Sequence, residues 1–524
     1  MLPILREGAL AWTDRGIALR LCLPWIRSLP LSSITAIEVA VDGEPLTVVV
    51  CVDGRAVAPG ELADEDGWWF VQDRLVLEAP RSPRPLPSLP GRRPKPRAPD
   101  GRLRPGVHDV SVSFRLVIPY LPAGPDAPLV LPFHAEAQLI LDAPRSPAAR
   151  AAESPRIPGE AEARPAEVRP REDSPRSERL PSGWTLGASA FNWTPVVITA
   201  ERPAPDIAVG IVADGVADVI EVELGQLWRS FPDPADADAD DLRAALEAVG
   251  GSVSIVGASI DDWRTPTRHR TDEERLAFLM PQLRAAHRLG AHGVRLPIGQ
   301  AGAALLRRLQ PTLDELDLIL YEEVQGHQAP GNPAVAAAYE TIARLDDPRI
   351  RLLVDISMLM PALPTSYLGL LRDRGVPASL VDALESDWRE PAIGAKVVRL
   401  LQSGGVPPAV HTAYMNLLVR FGRSDAADLR SILPRTGAFH LKFWDLDDAD
   451  GRVSSPIRDL GALLVEHGWR GTLTSEWGGH EWLEDLDATE TTRAHLRLAR
   501  AALAQGAQTM TEQKENPCRT PSAI

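Results

Sequence analysis

Residues 318–326 read LILYEEVQG, an apolar run that closes on two glutamates, Glu322 and Glu323. A Leu/Ile run of this length fits a strand covered on both faces in a parallel sheet, where an unpaired carboxylate costs several kcal/mol, roughly. Something must compensate the charge.

Seven more runs from Gly183 onward share this grammar. They are WTLGASAF at 184–191, DVIEVEL at 218–224, GSVSIVGAS at 251–259, GVRLPIG at 293–299, IRLLVDIS at 350–357, AFHLKFWD at 438–445 and GTLTSEW at 471–477. Amphipathic helical patterns lie between most of them. One is TDEERLAFLMPQLRAAHRLG at 271–290, with a Thr cap, early acids and a terminal Gly; another is NPAVAAAYETIARL at 332–345. Eight strand–helix units predict an α/β TIM barrel over residues 183–505. A doubly wound open sheet is the competing architecture, but no GxGxxG follows the first run. The long connection from Ile356 to Thr436 predicts extra helices over the barrel mouth, and the polar residues 506–524 a disordered tail.

Residues 1–143 are written in period two. IALRLCL places Ile17, Leu19, Leu21 and Leu23 on one face, and VSVSFRLVI does the same with Val110, Val112, Phe114, Leu116 and Ile118. Asp-Gly turn signals at 42–43 and 53–54 separate further strands, which predicts an all-β, sandwich-like domain. A Pro/Arg-rich insert at about 80–104 and a linker at 144–182 lack the large apolar side chains needed to offset ordering entropy, and are expected to be disordered.

With 524 residues, 44% hydrophobic, and a formal charge of −15, the chain reads as a globular acidic enzyme rather than a nucleic-acid binder. The cysteines are Cys22, Cys51 and Cys518, without CxxC spacing, which argues against thiolate zinc and a disulfide framework. No signal peptide or 18-residue apolar run is present, so a cytoplasmic location is expected. Lysine occurs only at 95, 396, 442 and 514, an arginine bias fitting a high-GC bacterial genome, and this singles out Lys442. A small oxidised glycoside or sugar is the expected partner, without nucleic acid or membrane; homo-oligomerisation is compatible with the sequence.

Three other strands end as the opening one does. LLVD ends in Asp355, FHLK sets His440 and Lys442 on one face, and TLTSE ends in Glu476. The C-terminal strand ends of a TIM barrel converge, so Glu323, Asp355, His440 and Glu476 should meet. For each alone, a salt bridge to a barrel arginine would suffice; the four together predict a site for one divalent metal, Mn²⁺ foremost, with Mg²⁺, Co²⁺ or Fe²⁺ as alternatives for an oxygen-rich donor set. Counting by two from the end of the run favours Glu323 over Glu322, a choice that a one-residue slip would reverse. Candidate bases are His327 in EEVQGH and, second, His480 in WGGHEW, each also readable as a plain loop histidine. Lys442 is a candidate to polarise a substrate oxygen, or to pair with a carboxylate at the mouth.

The ordered Glu, Asp, His, Glu on strands five to eight resembles the xylose isomerase-like TIM barrels, which include sugar isomerases, keto-sugar epimerases and AP endonuclease family 2. The resemblance implies that these four residues bind one divalent metal. The N-terminal segments LPLSSITAIEVAVDGEPL, WWFVQDRLVLEA and PGVHDVSVSFRLVIPYLP resemble the β subunit of C-glycoside deglycosidases. That resemblance implies a metal-dependent lyase releasing an aglycone from 3-oxo-glycosides; a sugar isomerase or epimerase, and a non-catalytic carbohydrate-binding protein, are the other readings.

Overall fold

The computed structural model describes residues 4–14, 16–80, 103–124, 127–142 and 179–515. Most of the expected insert and linker lies outside them. Eight parallel strands close a barrel in chain order: Trp184–Ser189, Val219–Glu223, Ser252–Gly257, Gly293–Pro297, Ile319–Val324, Ile350–Asp355, Thr436–Phe443 and Gly471–Trp477. The first strand pairs with the eighth, Trp184 against Gly471.

The barrel interior sets the register. Tyr321 fills it together with Ile255, Leu353 and Ala438. Gly293 and Gly437 make room for its ring, since a Cβ at either would press on it. With Tyr321, Leu353 and Ala438 inside, strand alternation sends Glu323, Asp355 and His440 inside too, one layer nearer the C-terminal mouth. The outward residues, such as Leu320 and Val354, pack against the surrounding helices.

Between strands six and seven lie four helices, Thr365–Asp373, Ala378–Ser386, Pro391–Gln402 and His411–Val419. They share a core built on Tyr367, Trp388, Tyr414, Phe421 and Trp444. The expected tail is corrected in part: the last helix, Ala488–Glu515, runs ten residues past the expected barrel end at 505. Its face carrying Ala499, Ala502, Leu503 and Ala507 is apolar and buried, and Gly506 lets it close onto the Arg458 backbone of helix Ser454–Glu466.

The N-terminal part consists mainly of a five-stranded and a four-stranded antiparallel sheet around one core that includes Leu21, Leu29, Val50, Leu77, Val112 and Phe114. It docks on the C-terminal rim beside barrel strands two and three. Ser28 N and Oγ donate to Gly225 O at 2.9 and 2.7 Å, and Trp68 meets Phe231 edge-on at 4.9 Å. Arg27 donates to Asp261, just past the third strand, at 2.5 Å and lies 4.0 Å over the Tyr120 ring. The paired side chains are 11% and 0% exposed, so this is a buried ion pair across the interface. Arg27→Ala should strand the Asp261 charge and cost about 3–5 kcal/mol in denaturant unfolding, with Asp261→Asn on top recovering part of the loss.

His495 on the last helix is wholly buried, stacked on Phe443 at 3.8 Å, with Nδ1 2.8 Å from Ser475 Oγ and Nε2 without a hydrogen-bond partner. Burial pushes its pKa down to about 3. Because the folded value lies below the unfolded one, its stabilising contribution is complete above about pH 6.5 and is lost as pH falls toward 3. Unfolding measured from pH 7 to pH 4 should therefore show a slope component approaching 1.4 kcal/mol per pH unit, roughly, that His495→Gln removes.

Candidate metal centre

Glu323, Asp355, His440 and Glu476 stand at the mouth ends of strands five to eight, all buried, and one donor atom from each lies within 4.8 Å of the others. His440 Nδ1 is 3.0 Å from Glu323 Oε1 and 3.0 Å from Glu476 Oε2. Its Nε2 faces away from the four, 2.8 Å from Glu221 Oε2 on strand two. Asp355 Oδ1 accepts from Ser357 N at 2.7 Å, whereas Oδ2 is buried with no hydrogen-bond partner.

Two cations edge the group. Lys442 Nζ lies 3.1 Å from Glu476 Oε2 and 4.0 Å from Asp355 Oδ2. Arg295 donates to Glu323 Oε2 at 2.8 Å and also to Glu223, a carboxylate that fits because Gly257 beside it has no side chain. Burial alone would discharge every member; which effect wins differs by residue. Asp355 is pushed up to about 6 by burial, with Lys442 pulling the other way. Glu476 is opposed by burial too, but His440 and Lys442 outweigh it and hold the carboxyl well below the usual range. Burial likewise opposes the charges of His440 and Lys442, and the carboxylates around them win, raising both. Lys442 is thus held as an ammonium beside these carboxylates.

The Glu322 and Glu323 alternatives separate cleanly. Glu323 enters the cluster, while Glu322 points to the other side of the strand, takes the Gly299 N–H at 3.0 Å, and is pushed up to about 7 by burial. The two histidines also part. His327 in the loop after strand five is tied to the inserted helices, its Nε2 donating to Leu417 O at 3.2 Å. His480 is 7% exposed, packed by Phe191 and Trp477, with a buried Nε2 that has no hydrogen-bond partner. Burial lowers it to about 4, and Lys442, Arg420 and Glu476 are among its electrostatic neighbours.

Sequence reasoning missed Glu221, Glu223 and Arg295, and also the Arg420–Glu481 pair at the rim. For the first three the signal was present: DVIEVEL and GVRLPIG carry charges in otherwise buried strands, as the opening run does.

The donor set fits a divalent cation. Three carboxylates and an imidazole converge in a buried site, and Asp355 Oδ2, which has no hydrogen bond, is the kind of atom a cation would satisfy. An eight-stranded parallel barrel with this set on strands five to eight defines a xylose isomerase-like TIM barrel. No family model matches the sequence. The chain is 28% identical over 330 residues to a C-glycoside deglycosidase alpha subunit of Arthrobacter globiformis, covering 62% of this chain and 93% of that protein. Its N-terminal region is similar to beta subunits: 33% identity over 124 residues to the 3'-dehydrocarminate deglycosidase beta subunit of a Microbacterium species, 23% of this chain and 79% of that one. Among solved structures, the 3-keto-D-glucoside 4-epimerase of E. coli aligns with 60% of this chain and 99% of its own at 14% identity and a TM-score of 0.35. The chain belongs to the C-glycoside deglycosidase family, with regions like both subunits in one polypeptide. Among the described residues no helix is long and apolar enough to cross a membrane.

Elemental analysis of the native protein should find one divalent ion per chain. Replacing Asp355 and His440 together by Ala should abolish stoichiometric binding, since two of four ligands are gone.

Proposed function

We propose that this protein is a metal-dependent lyase that cleaves 3-oxo-C-glycosides or related oxidised glycosides and releases the aglycone. The observation that carries the reading is that one chain holds regions similar to both the alpha and beta subunits of C-glycoside deglycosidases, with a four-residue metal cluster at the mouth of the alpha-like barrel. Glu323, Asp355, His440 and Glu476 would hold the ion, with Mn²⁺ the first choice for the donor set. When bound, it supplies Lewis acidity to oxygens of the sugar.

The chain's own groups handle the protons. A ketone at carbon 3 acidifies the hydrogen on carbon 2. His480, kept neutral by burial and with an unpartnered Nε2, is the residue we assign to take that proton. The C–H electrons form a carbon 2–carbon 3 double bond with the charge on oxygen 3. Return of that charge makes the carbon 1–carbon 2 double bond as the bond to the aglycone breaks, and the aglycone carbon takes up a proton. To the Lys442 ammonium, which pairs with Glu476 at the cluster, we assign a hydrogen bond to a sugar oxygen. His327, the first candidate for the base in the sequence, is assigned instead to hold the loop after strand five against the inserted helices. To the N-terminal domain, docked on the rim, we assign the grip on an apolar aglycone.

Chromatography should show free aglycone from a 3-oxo-C-glycoside and none from its unoxidised parent. Equal release from both would indicate a glycosidase, and an epimerised sugar without aglycone would indicate an isomerase. His480→Asn should lower kcat by about 10²–10⁴-fold; an undiminished His480→Asn with a dead His327→Asn would move the base to strand five.

A further inference from the structure

A histidine that ligates a metal presents one ring nitrogen to the ion, and the partner of the other nitrogen decides its tautomer and ring angle. His440 is wholly buried and both nitrogens are engaged. Nδ1 faces two carboxylates of the cluster, Glu323 and Glu476, at 3.0 Å each. Nε2 faces Glu221, which belongs to no part of the four-residue group, at 2.8 Å. Glu221 is 1% exposed, so its carboxylate depends on protein donors. Among the described residues it has two: the His440 ring, and the Thr474 hydroxyl, which donates to its Oε1. Thr474 is itself 1% exposed and sits on strand eight, two residues before Glu476. Strands two, seven and eight are therefore joined inside the barrel through a single carboxylate, one that nothing in the ligand set requires.

We infer that Glu221 is a positioning residue, held by Thr474, that keeps the proton of His440 on Nε2 and turns Nδ1 toward the ion. This deepens the metal reading and rests on it. Glu221 touches neither ion nor substrate; it acts through His440. Because Thr474 and Glu476 share one face of strand eight, the same hydroxyl that aims Glu221 also ties it to the strand that carries the fourth ligand.

The test is Mn²⁺ affinity of the full chain, read by competition with a chelator, for wild type, Glu221→Gln, Thr474→Val and Thr474→Ser. Glu221→Gln should bind Mn²⁺ roughly 10–100-fold more weakly. Thr474→Val should weaken it less, and Thr474→Ser, which restores the hydroxyl, should return to the wild-type value. The visible absorption of the Co²⁺-loaded Glu221→Gln protein should keep the wild-type band intensity, because all four ligands remain. Unchanged Mn²⁺ affinity in Glu221→Gln would overturn the inference. A change of Co²⁺ band intensity of the size produced by His440→Ala would make Glu221 a ligand and would also overturn it. If Glu221→Gln fails to fold, the Val and Ser variants decide: equal affinity in both sinks the proposal. Absence of Mn²⁺ binding in wild type would instead bring down the metal reading itself.

Discussion

Burying several carboxylates at one point is the cost around which this barrel is organised. Glu221, Glu223, Glu323, Asp355 and Glu476 crowd together toward the mouth, where an isolated carboxylate would take up a proton rather than remain charged. The protein meets that cost with fixed partners. Arg295 spans Glu223 and Glu323, Lys442 spans Glu476 and Asp355, and His440 links Glu323 and Glu476 on one side with Glu221 on the other. Within the four-residue set, Asp355 Oδ2 and Glu476 Oε2 are buried without a hydrogen bond, and each has Lys442 at ion-pair distance, farther from Asp355 than from Glu476.

That arrangement depends on the layer beneath it. Tyr321 and its neighbours plug the barrel and hold each strand in the phase that brings the next inward residue to the mouth. Small residues matter here as much as large ones. Gly293 and Gly437 admit the Tyr321 ring, and Gly257 admits the Glu223 carboxylate. At Gly326, with φ of +53°, the loop after strand five closes against the backbone of Val419 and Arg420, so the inserted helices come down beside the site.

The N-terminal domain reaches the same region by another route. Ser28 bonds to Gly225, two residues beyond Glu223, and Arg27 is anchored on Asp261, four residues beyond Gly257. The docked domain therefore bears on the loop after strand two, which carries Glu221 and Glu223, and on the loop after strand three, where Gly257 makes room for Glu223. A buried ion pair is a weak source of stability but a strong source of registry, because either charge is costly when displaced.

Much of this was legible in the residues alone. The eight apolar runs, their spacing by helical patterns and the acids or histidine at the ends of four of them specify a barrel and a cluster of three carboxylates and a histidine at its mouth, because alternation and strand-end position are local properties of the chain. The period-two grammar of the first 143 residues likewise announces antiparallel sheets. Other features had no local signature. Glu322 and Glu323 are adjacent and chemically alike; only the packing of Tyr321 inside the closed barrel decides which one joins the buried cluster. His440 and Glu221 meet across 219 positions of sequence, and Arg27 and Asp261 across 234, so their pairing exists only once the barrel has closed and the domain has docked. The same holds for the two histidines of the rim: as letters they are equivalent, and it is burial, which leaves His480 Nε2 unpartnered and ties His327 to Leu417, that sets them apart.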